Sequence, residues 1–547
     1  MPTRDAPMPG AAHASRIDVP QIRHPEDETP AWWFRMGAAQ AAERGAMSGK
    51  AKNVILFVGD GMSLTTVAAA RILEGQRRGQ SGEENALSWE RFPHTALSKT
   101  YNTDSQTPDS AGTMSAMATG VKTRSGVLSI GQQPLRGDCK GALGAQLLTL
   151  WELAASTGMA TGVVTTTRIT HATPAATFSH SAHRNWENDT ELPADAVEAG
   201  CIDIPRQMIE TPYGKGPIVL MGGGRENLLP VGLEDPEYSD KVGLRLDERN
   251  LVDAWKQRHP TGVYVWNHEQ MRQAPADTPL LGLFEPGHMQ YEHDRIRDRA
   301  SEPPLAEMVR TAIQRLEANA NDQGYVLLVE GGRIDHAHHS GNAHRALIDT
   351  IALSDAVRAA TEATSEQDTL ILVTADHSHT LTFAGYPVRG NPILGKVKGS
   401  SGEGNAIGPY ATDATGLPYT TLSYANGPGY VGATDQQPEG PKTLNYEISG
   451  FQTAERGRPD LNEVDTDAPD YLQEAMIPLG YETHGGDDVG IWARGPGAHA
   501  VRGSLEQNAI FHILLQATPR LRQRLCAANL CNADGVPVEL PDPAQFR

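Results

Sequence analysis

Cysteine is scarce in this chain: 547 residues hold four, Cys139, Cys201, Cys526 and Cys531. None forms a C-x-x-C pair and no Cys/His zinc-finger spacing occurs, so a dithiol redox motif and a thiolate zinc module are both excluded. Cys526 and Cys531 are close enough for a small loop-closing disulfide, with four buried thiols as the equal alternative. Long apolar runs are missing as well, and none approaches the ~20 residues of a membrane span. Residues 1–30 are polar and proline-rich, without a basic stretch leading into an apolar core, so they do not read as a signal peptide, which leaves open that one has been removed. Positive charge is the third shortage. Lys and Arg total 47 against 67 Asp and Glu, a formal net charge of -20, which argues against nucleic acid and anionic membranes as partners. Such a surface also repels anionic substrates unless a site concentrates positive charge locally.

What is present is a large α/β pattern. With 39% hydrophobic residues the chain can bury one big α/β domain or two to three smaller ones. Five apolar, β-branched runs each lead into polar residues: Val54–Val58 into Asp60, Gly162–Thr167 into His171 and Thr173, Ile218–Met221 into Gly222, Tyr325–Val329 into Glu330, and Thr369–Thr374 into Asp376 and His377. Separated by helical stretches such as Leu305–Ala318 and Asn342–Thr364, these runs predict doubly buried parallel strands. Ligands of such sheets bind off the carboxyl ends of the strands, where Asp60, His171, Glu330, Asp376 and His377 stand. The expected architecture is therefore a three-layer α/β sandwich with a large, mostly parallel central sheet flanked by helices. Residues 1–28 are expected to be a flexible arm and residues 29–547 one domain. Thr29–Glu43 reads as a helix whose Trp32, Trp33 and Phe34 pack on the body or on a second subunit. Residues 390–432, rich in Gly, Ser, Asn and Tyr, read as an inserted subdomain.

The chemistry centres on Thr107-Pro108-Asp109-Ser110-Ala111-Gly112-Thr113. A serine at a helix N-terminus meets unpaired N–H groups and the positive end of the helix dipole, which favours an anionic nucleophile and an anionic ligand. Taken alone, an Asp-Ser before a helix is an N-cap. Its company changes that. Asp335 and His339, four residues apart, share one helix face and can grip one metal. Asp376-His377-Ser378-His379 adds a second carboxylate–imidazole pair, and His484 follows Thr483 in a loop. Any single histidine is more often a surface or core residue than a ligand, but three such clusters at strand ends point to metal. Carboxylate and imidazole without thiolate suit catalytic zinc, while Asp, Glu and Thr oxygens suit magnesium.

In order along the chain, Val58-Gly59-Asp60-Gly61-Met62, Pro108–Thr113, His171-Ala172-Thr173-Pro174-Ala175, Glu330–His336, Thr374–His379 and Glu482-Thr483-His484 resemble the alkaline phosphatases. Arg184-Asn185-Trp186, Met221–Arg225, Leu283–Gly287 and Asn426–Val431 make the animal-type enzymes the nearer likeness. The resemblance implies a phosphate monoester hydrolase with an alkaline optimum, two zinc ions and one magnesium ion. It makes Ser110 the transiently phosphorylated nucleophile and Arg184, beside Asp109, the clamp on two phosphate oxygens. Asp335, His339 and His484 would hold the first zinc. Asp376, His377, Asp60 and the Ser110 oxygen would hold the second. Asp60, Thr173 and Glu330 would hold magnesium, with His171, His336 and His379 in support. An additional calcium site would use Glu237, Glu285 and the Phe284 carbonyl, with Asp298 as the candidate last acid. The likeness pairs Cys139 with Cys201 and Cys526 with Cys531, and so implies an oxidising compartment, periplasmic or secreted. It also makes the Trp32-Trp33-Phe34 helix a clasp and residues 390–432 a crown in a homodimer. A sulfatase would want a formylglycine-generating motif that Asp109-Ser110-Ala111-Gly112 is not, a diesterase should lack Arg184, and a non-catalytic relative should have lost Ser110 or a ligand.

Overall fold

The computed structural model describes residues 17–22, 24–298, 300–399, 410–432, 439–444 and 458–547. Residues 1–16 and 23 of the expected arm, and 400–409 of the expected insert, lie outside the described residues.

The apolar runs become strands β1 (Asn53–Gly59), β3 (Ala160–Arg168), β4 (Val219–Gly223), β7 (Tyr325–Gly331) and β8 (Thr369–Ala375), while β2 (His94–Lys99), β5 (Val263–Val265) and β6 (Leu280–Leu283) complete the set up to β8. With strands Val489–Arg494 and Gly503–Glu506 they form one ten-stranded sheet. β1 lies at its centre, parallel to β7 on one side and β8 on the other. Beyond β7 come β3, β4, β6 and β5, all parallel. Beyond β8 lie Val489–Arg494, the one antiparallel strand of this sheet, then β2 and Gly503–Glu506.

β1, β7 and β8 are buried along their whole length, the condition that lets a parallel strand be apolar on both faces. Val54, Leu56 and Val58 point into a core shared with Trp33, Phe34 and Phe511. Ile55 and Phe57 point the other way, into a core with Met308, Leu316, Leu347 and Leu353. The second core is covered by helices Leu305–Asn319 and Ala343–Ala363, so helix, sheet and helix stack in three layers. Register then sets the site: Gly59 pairs with both Gly331 and Ala375, so Asp60 and Asp376 leave the sheet side by side. Glu330 lies two steps back from Asp60, opposite Val58 and Thr165.

Helix Pro30–Glu43 begins as its sequence suggests, with Thr29 capping the Trp32 N–H and proline at its first turn. Its aromatic load packs on the body of its own chain: Trp33 and Phe34 are 1% and 0% exposed, and Phe34 meets Phe511 and His512. Contact with helix Ala509–Ala517 is close enough that a Cβ on Gly37 would lie 2.5 Å from the His512 ring. A separate small sheet joins Leu381–Phe383, Leu422–Gly427 and Ala475–Pro478. Only the middle strand falls within 390–432; its partners come from either side, since strands this short carry no pattern long enough to read. A two-stranded pairing sets His484 opposite His379. Among the described residues no helix is long and apolar enough to cross a membrane.

Cys139 is bonded to Cys201 and Cys526 to Cys531. The first closes a loop of 62 residues and the second a loop of 5. Loop-closure entropy gives about 4 kcal/mol for the longer and about 2 kcal/mol for the shorter. The Cys139→Ala/Cys201→Ala pair should therefore lower the denaturation midpoint about twice as far as Cys526→Ala/Cys531→Ala, as urea unfolding followed by tryptophan fluorescence would show.

Candidate functional site

Ser110 opens the ten-residue helix Ser110–Thr119, capped by Asp109, whose carboxylate accepts the Gly112 N–H at 3.1 Å. The small residues that follow let this helix bury completely. Ser110 itself is 2% exposed. Its Oγ lies 3.1 Å from His377 Nε2 and 3.4 Å from Asp60 Oδ1. His377 Nε2 is also 3.3 Å from Asp60 Oδ1 and 3.2 Å from Asp376 Oδ2. The Asp376 carboxylate is held by the N–H groups of Gly61, at 2.9 Å, and His377, at 2.8 Å. Because His377 Nδ1 faces the Ser378 carbonyl at 3.2 Å, its proton belongs there and Nε2 turns a lone pair toward the serine. A nucleophile, two carboxylates and an imidazole lone pair thus share one point.

A second convergence lies beside it. Asp335 Oδ1 is 3.3 Å from both His339 Nε2 and His484 Nε2, and these two nitrogens are 3.1 Å apart. The other nitrogens of those rings face backbone carbonyls, His484 Nδ1 that of Pro108 at 2.7 Å and His339 Nδ1 that of Glu482. Both rings therefore aim lone pairs at each other and at a carboxylate, an arrangement that a cation between them satisfies. His379 differs. Its Nε2 reaches Asp335 Oδ1 at 2.7 Å and its Nδ1 binds Glu482, so carboxylates flank it on both sides. Burial opposes its charge, yet Glu482 and Asp335 outweigh that and push it up to about 10. With a carboxylate at each nitrogen, it braces Asp335 from the side.

The third group uses Asp60 again, with Glu330, Thr173 and His171. Thr165 and Thr167 donate to one oxygen of Glu330, Thr167 at 3.1 Å. The other Glu330 oxygen, Asp60 Oδ2 and Thr173 Oγ1 are all buried without a hydrogen-bond partner. Thr173 lies close enough to Glu330 to ease its charge, but outside hydrogen-bond geometry. Three orphaned oxygens in one place are a hard-cation set. The electrostatics agree: burial, then repulsion from Asp376, Asp335 and Glu330, drives Asp60 well above the usual carboxylate range. Burial likewise lifts Glu330 to about 7 and Asp376 to about 6.

Arg184 supplies the opposite charge. Its Nη1 is 3.0 Å from Asp109 Oδ2 and its Nη2 3.2 Å from His171 Nε2. Asp109 is in turn held by the Gly112 and Gly126 N–H groups. Burial works against its charge, but Arg184 and these donors keep it below the usual carboxylate range. His336 sits nearby with its Nδ1 2.8 Å from Arg333. Away from this centre, Glu237, Glu285 and Asp298 gather, and Phe284 is fixed by its N–H to the Gly222 carbonyl at 2.8 Å. Glu237 Oε2 is paired with Arg225 at 2.6 Å, while its Oε1 is buried without a partner. Asp298 accepts the Glu302 N–H at 2.9 Å. Glu302 itself is the more buried acid there; burial and then Glu285 push it up to about 9. Sequence reasoning missed Glu302, Glu482 and His288, the last packed against His171 and His336. Glu482 sat inside the Glu482-Thr483-His484 motif, but nothing local marks its bond to His379.

The family model described as Alkaline phosphatase matches residues 51–519. The tissue-nonspecific alkaline phosphatase isozyme of Gallus gallus is 43% identical over 475 residues, covering 85% of this chain and 84% of that protein. The alkaline phosphatase of Gadus morhua is 42% identical and covers 86% of this chain and 92% of that protein. Among solved structures, that of Thermus thermophilus alkaline phosphatase aligns with a TM-score of 0.58 at 24% identity, covering 86% of this chain and 92% of that one, a likeness of fold. With the family model spanning most of the sequence and close relatives matched nearly end to end, this chain is a member of the alkaline phosphatase family.

Proposed function

We propose that this protein hydrolyses phosphate monoesters at alkaline pH through a phosphoserine at Ser110, with two zinc ions and one magnesium ion. The observation that carries the reading is the Ser110 oxygen 3.1 Å from His377 Nε2 and 3.4 Å from Asp60, at a helix N-terminus, with Arg184 aligned by Asp109. Asp335, His339 and His484 would hold the first zinc; Asp376, His377, Asp60 and Ser110 the second; Asp60, Thr173 and Glu330 magnesium. When bound, these cations supply Lewis acidity, lowering the pKa of the Ser110 hydroxyl and offsetting charge on the entering and leaving oxygens.

The chain's own residues do the rest. Arg184 offers two parallel N–H donors to two phosphate oxygens, and Asp109 fixes the plane of that fork before substrate arrives. The first turn of Ser110–Thr119 adds the positive end of its dipole. Ser110 Oγ attacks phosphorus as the ester oxygen leaves with the alcohol; water then cleaves the Oγ–phosphorus bond, returning Ser110 and releasing inorganic phosphate. His379 keeps Asp335 oriented through both turnovers of charge. The acids Glu237, Glu285, Asp298 and Glu302, with one orphaned carboxylate oxygen, suit a further calcium ion. Two disulfides fit a periplasmic or secreted location. A homodimer is supported by apolar side chains displayed on and beside the small sheet, with Tyr386 86% and Met476 73% exposed.

Ser110→Ala should cut p-nitrophenyl phosphate turnover by about a thousandfold or more, and near-full activity would remove the covalent mechanism. Arg184→Lys keeps the charge but loses the fork, and kcat/KM should fall about tenfold to a hundredfold. Metal removal has a signed pH dependence. Glu330 and Asp376 are raised in the folded state to about 7 and about 6, so their contribution to stability is present while they are protonated and is lost as pH rises through those values. Chelation should therefore lower the melting temperature more at pH 8 than at pH 5, and mass spectrometry of the native protein should give about two zinc per chain. Equal losses at the two pH values would show that these carboxylates do not bear the cations.

A further inference from the structure

Asn102 lies in the loop between β2 and helix Ser110–Thr119, 4% exposed and outside every ligand set above. Its amide nitrogen has two protons and both are used: Nδ2 donates to Asp109 Oδ1 at 3.1 Å and to Ser125 Oγ at 2.9 Å. The amide therefore spans two segments, one carrying the Asp109 carboxylate and the other carrying Ser125 and Gly126. Gly126 closes a ring of contacts. Its N–H donates to Asp109 Oδ1 at 2.9 Å, and its carbonyl accepts the backbone N–H of Arg184 at 2.9 Å. Arg184 Nη1 then returns to Asp109 Oδ2 at 3.0 Å. Both the guanidinium and the backbone of Arg184 are thus tied to groups that Asn102 holds at a fixed separation.

The surroundings hold the amide in this place. A Cβ on Gly112 would collide with it, so the bare backbone of the first helical turn is what lets Asn102 reach the carboxylate. Its own backbone is pinned as well. The Asn102 N–H donates to the Ser105 carbonyl at 3.0 Å, and the Thr103 N–H to the Thr123 carbonyl at 3.0 Å. Asp104 accepts the Ser125 N–H at 2.9 Å. Just upstream, Lys122 Nζ donates to the Lys99 and Tyr101 carbonyls, each at 3.1 Å. Three donors, from Asn102, Gly112 and Gly126, fill Asp109 Oδ1 and leave Oδ2 turned to Arg184. Charge-assisted bonds of this kind fix direction as well as distance, which is what a bidentate clamp needs.

We propose that Asn102 is a positioning residue: by holding the Asp109 carboxylate against Ser125 and Gly126, it aims the Arg184 fork and sets its grip on phosphate oxygens. This rests on the phosphatase reading above, in which Arg184 is the clamp. Asn102 acts on the reaction only through Arg184.

The test is a double-mutant cycle on the metal-loaded full chain. Asn102→Asp and Asn102→Ala are each made with Arg184 present and in an Arg184→Ala background. Two quantities are measured: kcat/KM for p-nitrophenyl phosphate, and the affinity for inorganic phosphate by calorimetry. Asn102→Asp keeps the shape but sets a carboxylate against Asp109, and kcat/KM should fall about tenfold to a hundredfold. Asn102→Ala removes the donor without adding charge, and the fall should be about fivefold. Phosphate affinity should weaken by similar factors. In the Arg184→Ala background neither substitution should change either quantity by more than about twofold, because the group it aims is gone. Metal content by mass spectrometry should match the wild type throughout. A loss that persists in full without the Arg184 side chain, or that accompanies loss of metal, would overturn the proposal, since Asn102 would then be supporting Ser110 or the cations. Wild-type values in both variants would overturn it too. A wild type that binds phosphate without hydrolysing the ester would defeat the phosphatase reading instead, and the affinity cycle would still decide the role of Asn102.

Discussion

Carboxylates in want of positive charge are the constraint behind the rest of this structure. Asp60, Asp376 and Glu330 emerge from three adjacent parallel strands, the first two level and Glu330 two register steps back, all fully buried. Among the described residues no lysine or arginine is paired with them; their neighbours are threonine hydroxyls, backbone N–H groups and imidazole lone pairs. Burying three such charges without compensation would cost several kcal/mol each. The fold accepts that cost because the same geometry places Ser110 Oγ at the centre of the unpaired acceptors. The central sheet supplies the rigidity this requires, since β1 is clamped by both neighbours along its length and a one-residue slip would turn every site residue away.

Around that core, positive charge is distributed with some economy. Arg184 is shared between Asp109 and His171, and His379, held by Glu482 and Asp335, is favoured as a cation. Each of these charges is fixed by groups that do not themselves react, so the site is organised before any substrate enters. Preorganisation of this kind lets a protein with an acidic surface present a locally attractive pocket to an anion.

Much of this was legible in the sequence, for identifiable reasons. β1, β7 and β8 announced themselves because doubly buried strands have no polar alternation, and their ends marked one edge of the sheet. Asp335 and His339 were legible as a pair because helical spacing is a local rule. The bond between His379 and Glu482 was not, since it joins residues 103 positions apart across an antiparallel pairing of two residues. Nor was the role of Glu302: it lies on a loop, where no periodicity separates a buried acid from a half-buried one such as Asp298. The small sheet escaped for the same reason, with strands of three, six and four residues drawn from distant stretches.

The antiparallel strand Val489–Arg494 carries a further consequence. It docks between β2 and β8 and so draws His484, a few residues upstream, back to Asp335 and His339. During synthesis the central strands emerge long before it does. The cluster of Asp335, His339 and His484 is thus completed only after a segment well downstream of the first two has been made, so that, in the reading proposed above, cation capture there would be a later, closing event rather than a nucleus for folding.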